Sequence, residues 1–253
     1  MLGVPGANVL ARAGRRRRLA NGGWRMNGFA HVAIDGPAGS GKTTVARQLA
    51  RRIGALYLDT GAMYRAVAQM ALESGRDAAD EDAMVDVAHT WPVRVELDTA
   101  SPLGFRVFAG DRELGDGLYR NDVSRTVSFV AAHPRIRALM VERQRQIARE
   151  GPVVMAGRDI GTVVLPDAPV KIFLTASVPE RVERRRAELA ARGTVVDRET
   201  LRAEIEERDR LDATRETAPL RAAPDAREID SSGLTAEQVV ERIADIVAAE
   251  VPR

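Results

Sequence analysis

Short apolar runs, each closed by a polar residue or glycine, recur along the chain and are separated by stretches with helical spacing. His31 to Asp35 is the first such run and leads into a glycine-rich loop. From Thr43 to Ile53 the apolar positions Val45, Leu49 and Ile53 return at helical intervals, so the opening reads strand, loop, helix. Ala55 to Asp59, Val153 to Gly157, Val170 to Leu174 and, more weakly, Ala226 to Asp230 repeat the strand pattern. Continuous apolar strands alternating with helices predict a parallel sheet covered on both faces. Ser177 to Glu180 reads as a capping box opening a helix through Glu188. Thr235 to Gln238 opens the last helix, with Val239, Ile243 and Val247 on its apolar side.

The alternation breaks between about Ala78 and Asn121. After a short helix, Val93, Val95 and Leu97 alternate with Arg94 and Glu96, and Phe105, Val107 and Ala109 follow a Pro-Leu-Gly turn. We expect an antiparallel insert here, between the second and third parallel strands. The predicted organisation is an extension over 1–27, a core over 28–77, the insert over 78–121, and the core resumed over 122–253. A helical lid rich in arginine spans about 181–208.

Composition narrows the chemistry. With 253 residues the chain can bury a full core without staples, and it has no cysteine for a disulfide, a thiolate metal site or a thiol nucleophile. The three histidines, at 31, 89 and 133, share no metal-ligand spacing. No run reaches the roughly 18 apolar residues of a membrane span. The cytoplasm is the expected location. Positive charge is carried almost wholly by arginine, the only lysines being Lys42 and Lys171, so the lysine inside the glycine loop stands out. Arginine in quantity suits phosphate partners, whose oxygens its fork meets in pairs. The first 26 residues hold Arg15 to Arg18, several glycines and no acid. We read them as a disordered extension ahead of a start at Met26, in preference to a targeting segment or a nucleic-acid tail.

Gly36-Pro37-Ala38-Gly39-Ser40-Gly41-Lys42-Thr43-Thr44 matches G-x-x-x-x-G-K-[ST] between a strand and a helix. Glycines there let backbone N–H groups turn inward around phosphates, so the nine residues are expected to bind ATP. Lys42 would reach the β and γ phosphates and the Thr43 hydroxyl would bind Mg²⁺. Asp59, at the end of the second strand, is placed to hold a water on that ion, and Arg65 reaches into the same cleft from the next helix. Arg158 and Asp159, between Gly157 and Gly161, form a charged pair at a strand tip. The series Arg181, Arg184, Arg185, Arg186, Arg192, Arg208 and Arg215, with Asp209 and Asp212, suits a lid closing over a transferring phosphoryl group. Arg184, Arg185 and Arg186 face three ways, so some are solvated. Lys42, Arg158, Arg181 and Arg208 are the candidate catalytic residues.

Several strings together resemble the bacterial cytidylate kinases from about Phe29 onward. They are Ile34 to Thr43, Asp59-Thr60-Gly61-Ala62-Met63-Tyr64-Arg65, Val130 to Arg137, Gly157-Arg158-Asp159-Ile160-Gly161-Thr162-Val163-Val164, Pro166 to Pro169, and Ala218 to Leu220. The resemblance implies a P-loop kinase with a five-stranded parallel sheet, an enlarged monophosphate-binding insert, and transfer of phosphate from ATP to CMP and dCMP. By position, Thr60, Arg65 and Arg158 would bind the CMP phosphate. Ser128, Arg137, Asp159 and Arg215 would surround the cytosine, and Arg208 and Asp212 would approach ribose and phosphate. The expected partners are small nucleotides, without nucleic acid or membrane, and the chain is expected to act as a monomer.

Two rival readings lack a feature, and others share the core. A GTPase needs an Asn-Lys-x-Asp motif that neither lysine supplies. A nucleic-acid ATPase would want interleaved aromatics, which make up only 4% of the chain. A shikimate, adenylate or uridylate kinase would be separated by testing acceptors.

Overall fold

The structure, a computed structural model, describes residues 31–98, 101, 103–191 and 193–250. The expected extension over 1–27 and Arg192 lie outside the described residues. Five parallel strands form the main sheet: β1 (Val32–Asp35), β2 (Leu56–Asp59), β6 (Val153–Gly157), β7 (Val170–Thr175) and β8 (Arg227–Asp230). Their spatial order is β2-β6-β1-β7-β8. β1 and β6 are buried at every position, as expected of strands covered on both faces.

Helix α1 (Lys42–Ile53) buries Val45, Leu49 and Ile53, the stripe read from the sequence. Gly54 stops it in a left-handed conformation (φ 70°), its N–H returning to the Ala50 carbonyl. Helix α2 (Thr60–Glu73) starts directly at the tip of β2, and the Asp59 side chain caps it by accepting from Gly61 N–H at 3.0 Å. Helices α4 (Asn121–Ala132) and α5 (Pro134–Ala148) precede β6, and α8 (Ala236–Glu250) packs against α1. The last helix opens with a reciprocal box in which Thr235 N–H donates to Gln238 Oε1 and Gln238 N–H donates to Thr235 Oγ1.

The insert comprises α3 (Glu81–Thr90) and an antiparallel sheet of β3 (Val93–Leu97), β4 (Phe105–Ala109) and β5 (Arg112–Leu114). It joins the core through Phe105, whose ring lies 5.7 Å from that of Tyr57 on β2. Near the other end, α6 (Val178–Ala191) and α7 (Arg198–Thr214) make a hairpin with its own small core of Val182, Leu189, Leu201 and Ile205.

This topology places the site. The chain leaves β1 for the edge strand β2, returns to β6 beside β1, and then crosses to β7 on the other side of β1. The carboxyl ends Asp35, Asp59 and Gly157 therefore open on one crevice at the switch point, where ligands of open parallel sheets bind.

Candidate active site

The loop after β1 uses its glycines because nothing else fits. At Gly36 (φ 146°) an added Cβ would lie 2.0 Å from the Leu174 carbonyl oxygen. Gly39 (φ 75°) and Gly41 (φ 90°) are in conformations that L side chains rarely adopt. Lys42, at the start of α1, is buried, and its Nζ donates to the Pro37 carbonyl at 2.6 Å and to Ser40 Oγ at 3.2 Å. Burial and the neighbouring Arg158 push its pKa well below the usual lysine value, while Asp59 acts the other way. An ammonium in that setting gains from any anion that enters.

Across the crevice, Thr43 Oγ1 donates to Asp59 Oδ2 at 3.4 Å, so the two residues expected at Mg²⁺ stand side by side. Thr60 is buried and its hydroxyl donates to the Ala156 carbonyl at 3.0 Å. Arg65 donates to Ser124 Oγ at 2.8 Å and sits 5.5 Å from the Tyr119 ring centre. Sequence reasoning passed over Ser124 and Tyr119, because neither belongs to a motif.

The tip of β6 carries two ion pairs, one part-buried and one buried. Arg158 Nε donates to Asp212 Oδ2 at 2.8 Å. Burial would raise the Asp212 pKa, but Arg158 and Arg208 outweigh it and hold the carboxyl below the usual range. Asp159 is bonded by Arg137, and Arg215 Nη2 lies 3.9 Å from its other oxygen. Arg137 also donates to the Ala131 carbonyl at 3.3 Å. Arg215 is held from behind by the Ala218 carbonyl at 2.6 Å, and Ala218 adopts a positive φ of 52°. That conformation is uncommon outside glycine and aims the carbonyl at the guanidinium. Arg215 Nη2 and Arg208 Nε are buried without a hydrogen-bond partner among the described residues. Burial, Arg158 and Arg65 push the Arg208 pKa down to about 9, so it stays protonated at neutral pH while facing like charges. Such a cluster calls for an anion.

Lys42, Thr43, Asp59, Thr60, Arg65, Ser128, Arg137, Arg158, Asp159, Arg208, Asp212 and Arg215 all line one cleft of about 840 Å³. Arg181 is not among its lining residues. Its guanidinium is buried and donates to the Ala176 and Ala38 carbonyls at 3.1 Å each, and it pairs with Asp209 at 2.6 Å. It ties the α6–α7 hairpin to the glycine loop. Its neighbours on α6 divide as their spacing suggested. Arg184 and Arg185 both line the cleft, Arg184 also donating to Ser231 Oγ and the Ser231 carbonyl, and Arg186 pairs with Glu183 at the surface.

Asp35 was not anticipated as a site residue. It is buried, its oxygens accept the N–H groups of Ile160 and Gly161, and its only sequence signal is its place immediately before Gly36.

Among proteins of known name, one from Pelotomaculum thermopropionicum called cytidylate kinase is 51% identical over 224 residues. The match covers 88% of this chain and 98% of that one. A cytidylate kinase from Geobacillus thermodenitrificans is 51% identical over 216 residues, 85% of this chain and 95% of the other. Among solved structures, a shikimate kinase from Acinetobacter baumannii in complex with shikimate aligns with a TM-score of 0.41 at 16% identity. That alignment covers 89% of this chain and 96% of that one. The family model described as cytidylate kinase matches residues 32–249, from β1 through nearly all of α8, and so takes in every element that lines the cleft. With that span and half of all positions identical to named relatives over most of the chain, this protein belongs to the cytidylate kinase family.

Proposed function

We propose that the cleft transfers the γ-phosphate of ATP to CMP, and to dCMP, giving ADP and the pyrimidine diphosphate. The observation that carries this reading is the buried carboxylate of Asp159 between the guanidinium groups of Arg137 and Arg215, in the cleft that the glycine loop also lines. Cytosine offers an N4 amino donor beside acceptors at N3 and O2. A carboxylate accepts from the amino group, and a guanidinium donates to N3 or O2. Uracil presents the opposite pattern at its upper edge and would set O4 against the carboxylate. Ser128, buried on α4, can serve as donor or acceptor beside the base.

Residues 36–44 cradle the ATP phosphates. Arg65, Arg158 and Thr60 take the CMP phosphate, and Arg208 and Asp212 lie between phosphate and ribose. An oxygen of the CMP phosphate attacks the γ-phosphorus, the bond from that phosphorus to the β–γ bridging oxygen breaks, and ADP leaves. The chain's part is to position the two phosphates in line and to neutralise charge, since the reaction leaves little covalent chemistry to the protein. Lys42 and Arg208 supply that charge from desolvated positions. Arg181 acts on the rate by holding the loop at Ala38.

Thr43 and Asp59 offer adjacent hard oxygens facing the cleft, a donor set that fits Mg²⁺. When bound, Mg²⁺ neutralises charge on the donor phosphates. Residues 78–121 form the monophosphate-side insert and 181–208 the lid. The proposed working unit is a monomer.

The test is a panel of nucleoside monophosphates assayed with Mg-ATP. CMP and dCMP are the expected acceptors, with UMP slower and AMP inert. Equal turnover of AMP would overturn the reading of Asp159, Arg137 and Arg215.

A further inference from the structure

Asp35 closes β1 one residue before the glycine loop begins, and it is only 5% exposed. Its Oδ1 accepts the Ile160 N–H and its Oδ2 accepts the Gly161 N–H, each at 2.7 Å. Those two amides open the turn Ile160–Val164, which follows Arg158 and Asp159 directly. The spacing is tight. A Cβ on Gly161 would meet Lys171 Cδ at 3.2 Å and Asp35 Oδ2 at 3.5 Å. A carboxylate that accepts one bond on each oxygen cannot slide along the turn, because moving toward one donor abandons the other.

We infer that Asp35 is a positioning residue that sets the distance between the donor and acceptor halves of the cleft. The inference rests on the function proposed above. The Asp35 backbone continues into the loop that holds ATP, and its side chain holds the segment that carries Arg158 and Asp159. One residue therefore references both phosphate sites to the same strand end. The hydrogen-bonded register of β1 with β6, where Asp35 faces Gly157, aligns the strands but stops one residue short of Arg158. The carboxylate extends the alignment past the tip. In-line transfer depends on this separation, and a shift of about 1 Å in a reacting group can cost on the order of a hundredfold in rate.

Asp35→Asn keeps size and shape but can accept only one of the two N–H groups, and its amide hydrogens face the other donor. For this variant, kcat should fall at least about tenfold, the KM for CMP should rise by a similar factor, and the KM for ATP should stay within about twofold. The preference for CMP over UMP should contract, because Asp159 moves with the turn. A role in packing alone would lower the melting temperature and leave kcat per folded molecule and both KM values in place. Asp35→Ser, which fits the space and keeps one acceptor, provides the same comparison if the Asn variant does not fold. Wild-type kinetics in either folded variant would overturn the inference. Failure of both to fold would also overturn it, by assigning Asp35 to stability. Wild-type protein that does not phosphorylate CMP would instead refute the proposed function itself, so the two failures are distinct.

Discussion

Lys42 stands buried against the loop it serves, its ammonium bonded to Pro37 and Ser40 and facing Arg158. Desolvation makes that charge costly alone and valuable beside a transferring phosphoryl group. Lys42→Ala should lower turnover at least about a hundredfold while far-ultraviolet circular dichroism and melting temperature stay near wild type. Near-normal turnover in the folded variant would remove the loop from catalysis. Asp35 offers a second test through its titration. Its pKa is raised from 3.8 to about 6, by burial first and by Asp159, against the Ile160 and Gly161 N–H groups and Lys42. The folded state therefore binds a proton that the unfolded state does not hold between these values. The associated stabilisation, about 3 kcal/mol, is fully present below pH 3.8 and lost as pH rises through about 6. Between pH 7 and pH 5 the wild type should recover about 1 kcal/mol that Asp35→Asn cannot. Urea midpoints of both proteins at the two pH values measure it, and parallel pH dependence would contradict it.

Elements were legible in the chain wherever local chemistry decides them. The apolar runs gave the five core strands to within a residue or two. Ser177–Glu180 and Thr235–Gln238 marked helix starts that the structure shows. Long-range bonds were not legible. Asp35 meets Ile160 across 125 positions, and Arg181 meets Ala38 across 143. No spacing rule connects such residues. Nor could periodicity separate an arginine spent on the scaffold, as Arg181 is, from one whose donors remain unmatched, as with Arg208 Nε. This difference yields a prediction for α7. Arg208→Ala should slow turnover at least tenfold, whereas changing any one of Arg15 to Arg18 should leave it unchanged. Equal effects, measured with saturating ATP and CMP, would mean that the two arginine clusters had been assigned wrongly.

At the scale of the whole molecule, the cleft draws on residues from Ala38 to Arg215, so a bound nucleotide joins segments far apart in the chain. Arg125 on α4 meets Glu204 on α7 at 2.5 Å, spanning from core to hairpin. Filling the cleft should stabilise the fold by mass action, by about 2.7 kcal/mol at a hundredfold excess over Kd. For a domain of this size, melting should rise by about 5–10 °C with CMP at that excess. An unshifted melting temperature would place CMP elsewhere or nowhere.

The proposed recognition of cytosine rests on the carboxylate of Asp159 flanked by Arg137 and Arg215. Its most direct test is kcat/KM for CMP and for UMP, measured in competition on the wild type and on Asp159→Asn. The wild type should prefer CMP. The variant's amide can turn to donate to O4, so its kcat/KM for CMP should fall and the preference should narrow by about tenfold or more, the range of a buried polar mismatch. A preference that is unchanged in the folded variant would contradict the account and leave Asp159 as a scaffold residue only.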